Sequence, residues 1–419
     1  MPPSPLPPFA LLRNPVRRYA WGSPTAIPAL TGTAPDGTPQ AELWLGAHPS
    51  APSLLVTGDG DGNGNGNGNS GDGGDGAVPR PLDELIDADP DGLLGPDTVR
   101  RFGPALPFLF KVLAADRALS LQVHPTRAQA EAGYAAEQAR GIPPDAPERV
   151  FKDRGHKPEL ICALGDFEAL CGFRPAAATA RLLDALGVLP SWAAALRTRP
   201  AEAVLPELLR AGLTADAAEL AAVTGALRRA AEAGGPYGAT CVAYARLAEE
   251  YPGDRGLLAA LPLNHVRLGA GQALYLDAGM PHAYLRGVGV ELMAESDNVL
   301  RCGLTPKHVD VDGLLAITSF RTGEPEVLAP HPTGRDGEEA FASPAEEFGL
   351  SRLRPGAAAV RVDLATPQIL LCVSGRARLR APGRAELPLP AGASAYLRPG
   401  AGPVELTGPG AELFRATTG

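Results

Sequence analysis

Three polar side chains share one face of a short segment near the middle of the chain. Ser120, Gln122 and His124 alternate with apolar residues in the run SLQVHP at positions 120–125. Because successive side chains of an extended strand point to opposite faces, we expect these three groups to converge. Taken alone, such a strand is more commonly a half-buried pair of polar groups satisfied by hydrogen bonds.

Two further segments supply the groups that would turn this strand into a metal site. The sequence HKPE at 156–159 adds a carboxylate, and the sequence PH at 281–282 adds a second imidazole. Histidine is rare in this chain, which has only 7 of them, so two in such contexts favour a metal site. Imidazole with carboxylate or amide oxygen suits zinc when one coordination position stays open. An amide is a neutral ligand and leaves more charge on the ion, as a Lewis acid needs. We expect one zinc ion per chain, with these ligands: Gln122, His124, Glu159 and His282.

Four ionisable residues follow His282 within a short stretch: Glu291, Asp297, Arg301 and Lys307. A solvated surface loop is the ordinary explanation of such a stretch. Here, however, the charges are interleaved with apolar residues, which indicates that parts of the segment are half-buried. Unpaired charge in such places is costly, so these residues are candidates for a functional site.

The rest of the chain provides elements that would hold these groups. Short apolar runs broken by Gly and Pro predict β-strands in 1–57 and 104–175, and again from Leu261. From Ala176 to Glu250, leucines recur at spacings of three and four in an alanine-rich background, which predicts amphipathic helices. After about residue 325 a second β-rich unit runs to the end. Between the first two β regions, Gly58–Gly76 is almost entirely Gly, Asn and Asp, which predicts a flexible loop.

Composition excludes several classes of protein. A chain of 419 residues predicts two or three domains. Its net charge of −9 and the lack of a basic run argue against nucleic acid as a partner. No signal peptide and no apolar run of membrane-spanning length is visible, so we expect a soluble cytoplasmic protein without membrane contact. The 5 cysteines contain no C-x-x-C pair, which predicts buried, reduced thiols rather than disulfides or a thiolate zinc site.

Several strings resemble the type I mannose-6-phosphate isomerase (phosphomannose isomerase) family of cupin-class zinc enzymes. They are SLQVHP, GHKPE, AGMPHAYL, VELMAESDNVLR and GLTPKHVD, with YAWG at 19–22 and AELWLGAHPS at 41–50. The resemblance implies a mainly β fold, with a cupin (jelly-roll) catalytic domain, an inserted α-helical domain and a C-terminal cupin-like β domain. We place the catalytic domain at 1–175 and 260–324, including a flexible loop at 58–78. The helical domain is placed at 176–259 and the C-terminal domain at 325–419.

The resemblance also implies roles for individual residues. It makes the four predicted ligands the zinc ligands of the family and Arg301 the catalytic arginine. It places further residues around the active site: Ser120, Lys111, Lys157, Glu291 and Lys307. Asp297 lies one helical turn before Arg301, and His156 and Lys157 are candidates to assist ring opening.

The implied reaction is the isomerisation of D-mannose 6-phosphate and D-fructose 6-phosphate. It needs ring opening and a proton transfer between C2 and C1 through an enediolate, whose negative charge Arg301 or zinc would stabilise. The general base stays open among Asp297, Glu291 and Lys157. The phosphate contacts stay open among Lys111, Ser120, Lys307 and Arg301. We expect a monomer that acts in mannose catabolism or in the synthesis of nucleotide sugars such as GDP-mannose.

Two alternatives belong to other functional classes. Iron-dependent cupin oxygenases also use two histidines and one carboxylate, but an extra amide ligand and basic residues for a phosphate are not expected there. A non-catalytic sugar-phosphate-binding cupin would keep the pocket without turnover. The complete ligand set and the nearby Arg301 favour the isomerase over both.

Overall fold

The computed structural model describes residues 6–56 and 78–419. The predicted Gly/Asn/Asp loop at 58–78 lies outside these residues, except for its last position. Within the described chain the fold is mainly β, with three sheets and a helical region. None of the described helices combines the length and the apolar character needed to span a membrane.

The strands have these bounds: β1 Phe9–Arg13, β2 Val16–Arg17, β3 Glu42–Leu45, β4 Leu54–Val56, β5 Arg80–Pro81, β6 Phe108–Ala115, β7 Leu121–Val123, β8 Glu159–Phe173, β9 Leu263–Leu268, β10 Ala273–Leu276, β11 His282–Ala294, β12 Leu300–Gly303, β13 His331–Pro332, β14 Glu338–Ala340, β15 Gly349–Leu353, β16 Val360–Val362, β17 Gln368–Ser374, β18 Arg376–Arg380, β19 Leu387–Pro390, β20 Ser394–Leu397, β21 Val404–Thr407 and β22 Glu412–Thr417.

The helices have these bounds: α1 Ala26–Thr31, α2 Leu82–Ala88, α3 Pro90–Leu94, α4 Pro96–Phe102, α5 Arg127–Ala139, α6 Ala176–Leu186, α7 Pro190–Thr198, α8 Ala201–Thr214, α9 Ala217–Ala233, α10 Gly238–Glu250, α11 Gly256–Ala260 and α12 Val311–Ile317. Helices α6 to α10 lie in the stretch where the leucine spacing predicts them.

The chain divides into two compact units. Unit 1 comprises Met1–Ala114, Val290–Glu295 and Leu328–Gly419, and unit 2 comprises Ala115–Gly289 and Ser296–Val327. These two units differ from the three predicted domains. The domain bounds of the sequence analysis therefore stay a prediction.

Two of the three sheets lie in unit 1 and are built mainly from the end of the chain. One sheet has the order β13-β14-β15-β22-β17-β20-β1-β4-β5, and the other has the order β16-β21-β18-β19. Apolar side chains from both sheets, such as Leu370, Leu379 and Leu413, form one core. Strand β1 lies between β20 and β4, so the start of the chain completes a sheet of the C-terminal region. No local pattern in the sequence predicts this pairing.

Unit 2 holds the strand segment with which the sequence analysis began. Strand β7 pairs with β11 and with β12, while the long strand β8 pairs with β9 and β10. Leu121 and Val123 of β7 are buried in the same core as leucines of α6 and α8. Since side chains alternate along a strand, Gln122 faces away from that core. The helical region thus supports β7 from behind.

All 5 cysteines, which lie in the described part of the chain, are free and buried. The prediction of buried cysteines outside disulfides is confirmed for these residues. Burial raises the pKa of the Cys171 thiol to about 12 and that of Cys372 to about 11. These thiols are therefore protonated at neutral pH and behave as small apolar side chains.

Candidate active site

Strand pairing in unit 2 lines up three of the predicted functional residues. His282 of β11 is opposite Gln122 of β7, and Arg301 of β12 is opposite Gln122 on the other side. Residues that are opposite one another in antiparallel strands place their side chains on the same face, with Cβ atoms about 5 Å apart. The three side chains therefore emerge side by side, although they are up to 179 positions apart in the sequence.

Both histidines of the group are held by backbone carbonyl groups. His124 Nδ1 lies 2.7 Å from the carbonyl oxygen of Asn298, and His282 Nδ1 lies 2.9 Å from that of Met280. A carbonyl can only accept a hydrogen bond, so each Nδ1 carries the hydrogen. In a neutral ring the lone pair is then on Nε2, which is the arrangement of metal-binding histidines.

The carboxylate of Glu159 faces both of these imidazoles. Its Oε1 lies 3.3 Å from His124 Nε2, and its Oε2 lies 3.3 Å from His282 Nε2. The Gln122 amide nitrogen is 3.3 Å from His282 Nε2, and half a turn of this amide would exchange its nitrogen for its oxygen. Potential ligand atoms of His124, Glu159 and His282 lie within 4.8 Å of one another, and each of the three residues is 1% exposed.

Electrostatics keep these groups in the forms that bind metals. Burial alone would raise the pKa of Glu159, but the ammonium group of Lys157, 2.9 Å from Oε1, and the two histidines hold that pKa well below its ordinary value. Burial lowers the pKa of His124 to about 4. At neutral pH the site thus contains an ionised carboxylate and a neutral imidazole at His124, as metal binding requires.

Two of the convergent atoms are acceptors that lack donors. His124 Nε2 and Glu159 Oε2 are buried and make no hydrogen bond within the described chain. Each buried, unsatisfied polar atom costs about 1–3 kcal/mol, and acceptors that face one another also repel. A divalent cation between them would relieve both effects. The donor set of two imidazoles, one carboxylate and one amide therefore fits zinc, as the sequence predicts.

Arg301 brings a positive charge next to this group. It is half-buried on β12, and burial lowers its pKa without compensation by any carboxylate among the described residues. A guanidinium stays charged even so. An uncompensated, partly buried cation next to a candidate metal site is suited to hold an anionic ligand or developing negative charge.

Comparison with known proteins identifies the chain. A family model, phosphomannose isomerase type I, catalytic domain, matches residues 10–176. Mannose-6-phosphate isomerase of Escherichia coli (strain K12) is 38% identical over 403 residues, which cover 95% of this chain and 97% of that protein. The chain belongs to the type I phosphomannose isomerase family.

Other members of the phosphomannose isomerase family agree in sequence and in structure. The mannose-6-phosphate isomerase of Schizosaccharomyces pombe is 30% identical over 397 residues, covering 87% of this chain and 88% of that protein. A crystal structure of a phosphomannose isomerase variant from Salmonella typhimurium superposes with a TM-score of 0.87 at 37% identity. A mannose 6-phosphate isomerase with zinc bound gives a TM-score of 0.86 at 37% identity. Both alignments cover 98% of this chain and 99% of the other.

The remaining predicted residues of this phosphomannose isomerase family member lie in different surroundings. Ser120, immediately before β7, and His156 are half-buried in unit 2, and Lys307 is exposed after β12. Lys111 and Glu291 belong to unit 1, where their charged groups form a buried ion pair at 3.3 Å. Their roles in the active site stay predictions.

The predicted placement of Asp297 one helical turn before Arg301 is wrong. The chain is not helical at 297–299, and β12 begins at Leu300. A separation of four residues therefore does not place Asp297 one turn above Arg301. Asp297 lies instead in an exposed position of the loop that leads into β12.

Sequence reasoning missed two residues beside this loop. Asn298 is fully buried and supplies the carbonyl that orients His124, and Asp153 accepts hydrogen bonds from Asn298 and from the backbone of Asp297. Asn298 does occur in the family-like string at 290–301, but its letter gives no sign that the backbone carbonyl is the group in use. Asp153 stands two positions before the GHKPE string and carries no pattern of its own.

Proposed function

We propose that this chain is a zinc-dependent mannose-6-phosphate isomerase that interconverts D-mannose 6-phosphate and D-fructose 6-phosphate. The observation that carries the proposal is the convergence of His124, Glu159 and His282 as buried acceptors, in a chain whose relatives are mannose-6-phosphate isomerases. Gln122 would complete the ligand set. When bound, zinc would supply a Lewis acid that polarises oxygens of the sugar.

The residues around the metal position would manage charge and protons. We assign to Arg301 the stabilisation of the negative charge that develops on the oxygens of C1 and C2 as the enediolate forms. Lys157 is an ammonium in contact with Glu159, and an ammonium has no lone pair with which to accept a proton. It is therefore assigned as a donor during ring opening, together with the neighbouring His156.

Asp297 is assigned as the general base that takes the proton from C2 and returns it to C1. Asp297 lies at an exposed position, where a bound substrate can reach it, and a carboxylate is a suitable group to accept a proton. The other carboxylate candidate, Glu291, is 3% exposed and paired with Lys111. Its charge is already engaged, which makes it a weaker acceptor for a substrate proton.

The phosphate is assigned to Lys307, which lies after the end of β12. Burial of part of the Lys307 side chain lowers its pKa, and the positive charges of Arg301 and Lys152 lower it further. A dianion bound at Lys307 would offset this repulsion between cations. Ser120 is assigned to the substrate side of β7. This leaves Arg301 free for the reacting end of the sugar.

The finer architecture and the setting of the enzyme are also proposals. The mainly β fold and the family support a cupin catalytic domain, an inserted helical domain and a C-terminal cupin-like domain. A monomeric state, a cytoplasmic location and a role in mannose metabolism are proposed on the same family grounds. One zinc ion per chain follows from the single ligand group found in the described residues.

A coupled assay that follows fructose 6-phosphate tests the proposed function. We expect turnover by the zinc-loaded protein, loss of turnover after removal of metal by a chelator, and recovery when zinc is restored. Failure of both forms to interconvert the hexose phosphates would favour a binding protein. Stoichiometric iron with consumption of oxygen would favour an oxygenase.

The phosphate assignment predicts the behaviour of Lys307→Gln. Loss of one charged contact to a bound phosphate weakens binding by about 1.5–3 kcal/mol, so KM should rise about 10- to 100-fold while kcat changes less. Inhibition by inorganic phosphate should weaken in parallel. Arg286→Gln, which removes an exposed cation from β11, is the matched control and should leave KM unchanged. An unchanged KM in Lys307→Gln would contradict the assignment.

A further inference from the structure

The side chain of Asn298 joins two loops of unit 2. Its Oδ1 accepts hydrogen bonds from the backbone N–H groups of Lys152 at 2.7 Å and Asp153 at 3.2 Å. Its Nδ2 donates to the carbonyl oxygens of Asp153 at 2.9 Å and Gly155 at 2.8 Å. An amide with both ends fully used and no exposure fixes the two loops relative to each other.

Asp153 connects the same two loops, because its carboxylate accepts hydrogen bonds from the loop that contains Asn298. Its Oδ1 accepts hydrogen bonds from Gly155 N–H at 2.7 Å, from the Ser296 hydroxyl at 2.8 Å and from Asn298 Nδ2 at 3.1 Å. Its Oδ2 accepts one from the backbone N–H of Asp297 at 2.8 Å. We call the three side chains of Asp153, Ser296 and Asn298 the loop clamp.

Functional groups lie at both ends of the loop clamp. The carbonyl of Asn298 receives the Nδ1–H of His124 at 2.7 Å, and Asp297 is its neighbour in the chain. The other loop continues from Asp153 directly to Lys157 and Glu159. One network of hydrogen bonds, most of them part-buried, therefore connects a candidate metal ligand, the assigned base and the segment that supplies the carboxylate ligand.

We propose that Asp153 and Asn298 are positioning residues of the active site: Asn298 sets the orientation of His124 toward the metal, and Asp153 sets the position of Asp297. The role of Asp153 rests on the proposed function, which makes Asp297 the base. The role of Asn298 concerns metal binding and can be tested without turnover. Asn298 accepts a hydrogen bond from His124, and Asp153 accepts one from Asp297. Substitutions of Asn298 and of Asp153 should therefore have different effects. A network that served folding alone would not separate them.

Asp153→Asn tests whether Asp153 positions Asp297. Three donors contact Oδ1, so the amide oxygen of the variant will take that place and its NH2 group will face the N–H of Asp297, which then loses its acceptor. We expect kcat to fall about tenfold, as is usual when a supporting hydrogen bond is lost. KM and the affinity for zinc should be unchanged, because Asn298 keeps its contacts.

Asn298→Ala tests whether Asn298 orients His124 toward the metal. The variant removes the side chain that holds the carbonyl partner of His124, so its zinc affinity should weaken about 10- to 100-fold, measured by competition with a chromophoric chelator. Asp145→Asn, an exposed residue of the same connecting segment, is the control for both experiments. If Asn298→Ala does not fold, Ser296→Ala replaces it, because Ser296 donates to Asp153 and accepts from the Asn298 N–H.

Three outcomes would overturn the inference. An unchanged zinc affinity in Asn298→Ala would contradict the role of Asn298 in orienting His124. An unchanged kcat in Asp153→Asn would contradict the role of Asp153 in positioning Asp297. Equal losses of kcat and zinc affinity in both variants, with a lowered melting temperature, would indicate a folding role alone. Failure of the proposed function is distinguishable, because the unsubstituted protein would then show no isomerase turnover, whereas its zinc affinity would still be open to comparison.

Discussion

His282→Ala is expected to release zinc and to abolish isomerase turnover. The substitution removes one of two imidazoles whose Nε2 atoms face Glu159, and it leaves an ionised, buried carboxylate with one partner fewer. Metal bound at this site would contribute several kcal/mol to stabilisation of the transition state, so we expect kcat/KM to fall by at least about 10³-fold. Metal analysis of the purified variant and the coupled assay measure the two effects.

Two comparisons make the His282 result specific. His331→Ala removes an exposed histidine of β13 and should leave zinc content and turnover unchanged. Added zinc should restore part of the activity of His282→Ala only at concentrations far above those that saturate the unsubstituted protein. Stoichiometric zinc and normal turnover in His282→Ala would remove His282 from the ligand set and with it the present assignment of the site.

Arg301→Ala should show the opposite combination, with zinc retained and turnover lost. Arg301 is next to Gln122 in the strand pairing but supplies no ligand atom, since a guanidinium has no lone pair for a cation. Removal of one preorganised donor to a developing oxyanion costs about 10²–10³ in kcat. We therefore expect a loss of this size in kcat, with a smaller change in KM.

The Arg301 prediction also separates its two candidate roles. If the guanidinium bound the phosphate instead, KM would rise and kcat would change less, as expected for Lys307→Gln. Arg301→Lys keeps the charge without the planar fork of donors and should recover only part of the lost kcat. Arg286→Ala, at an exposed position of β11, is the control for removal of an arginine. Loss of zinc from Arg301→Ala would show that the residue supports the metal site instead.

The two predictions together test a division of labour in one small region. Strand β7 brings the metal side and the substrate side into contact, because Gln122 is opposite His282 on one edge and Arg301 on the other. A ligand substitution should change metal content first, whereas an arginine substitution should change only chemistry. The loop clamp adds a third class of residue, which contacts neither metal nor substrate and acts through His124 and Asp297.

Local patterns in the sequence determined the parts of the fold that depend on neighbouring residues. Leu121, Gln122 and Val123 alternate between core and site because a strand has a period of two. Leucines spaced by three and four between 176 and 250 became helices because such spacing creates one apolar face. The candidate metal ligands His124, Glu159 and His282 could also be named from the sequence, because imidazole and carboxylate are side chains that suit zinc.

Only the tertiary structure decided which distant groups meet. The pairing of β1 with β20 joins Phe9 to Leu397, and no local pattern specifies that partner. The acceptor for His124 is the backbone carbonyl of residue 298. Every residue has such a carbonyl, so the residue type at position 298 does not predict this hydrogen bond. The helical spacing assumed for Asp297 failed because pairing with β7 extends the chain from Leu300 onward. Side-chain chemistry is written in the sequence, whereas long-range pairing and backbone acceptors arise only when the chain has packed.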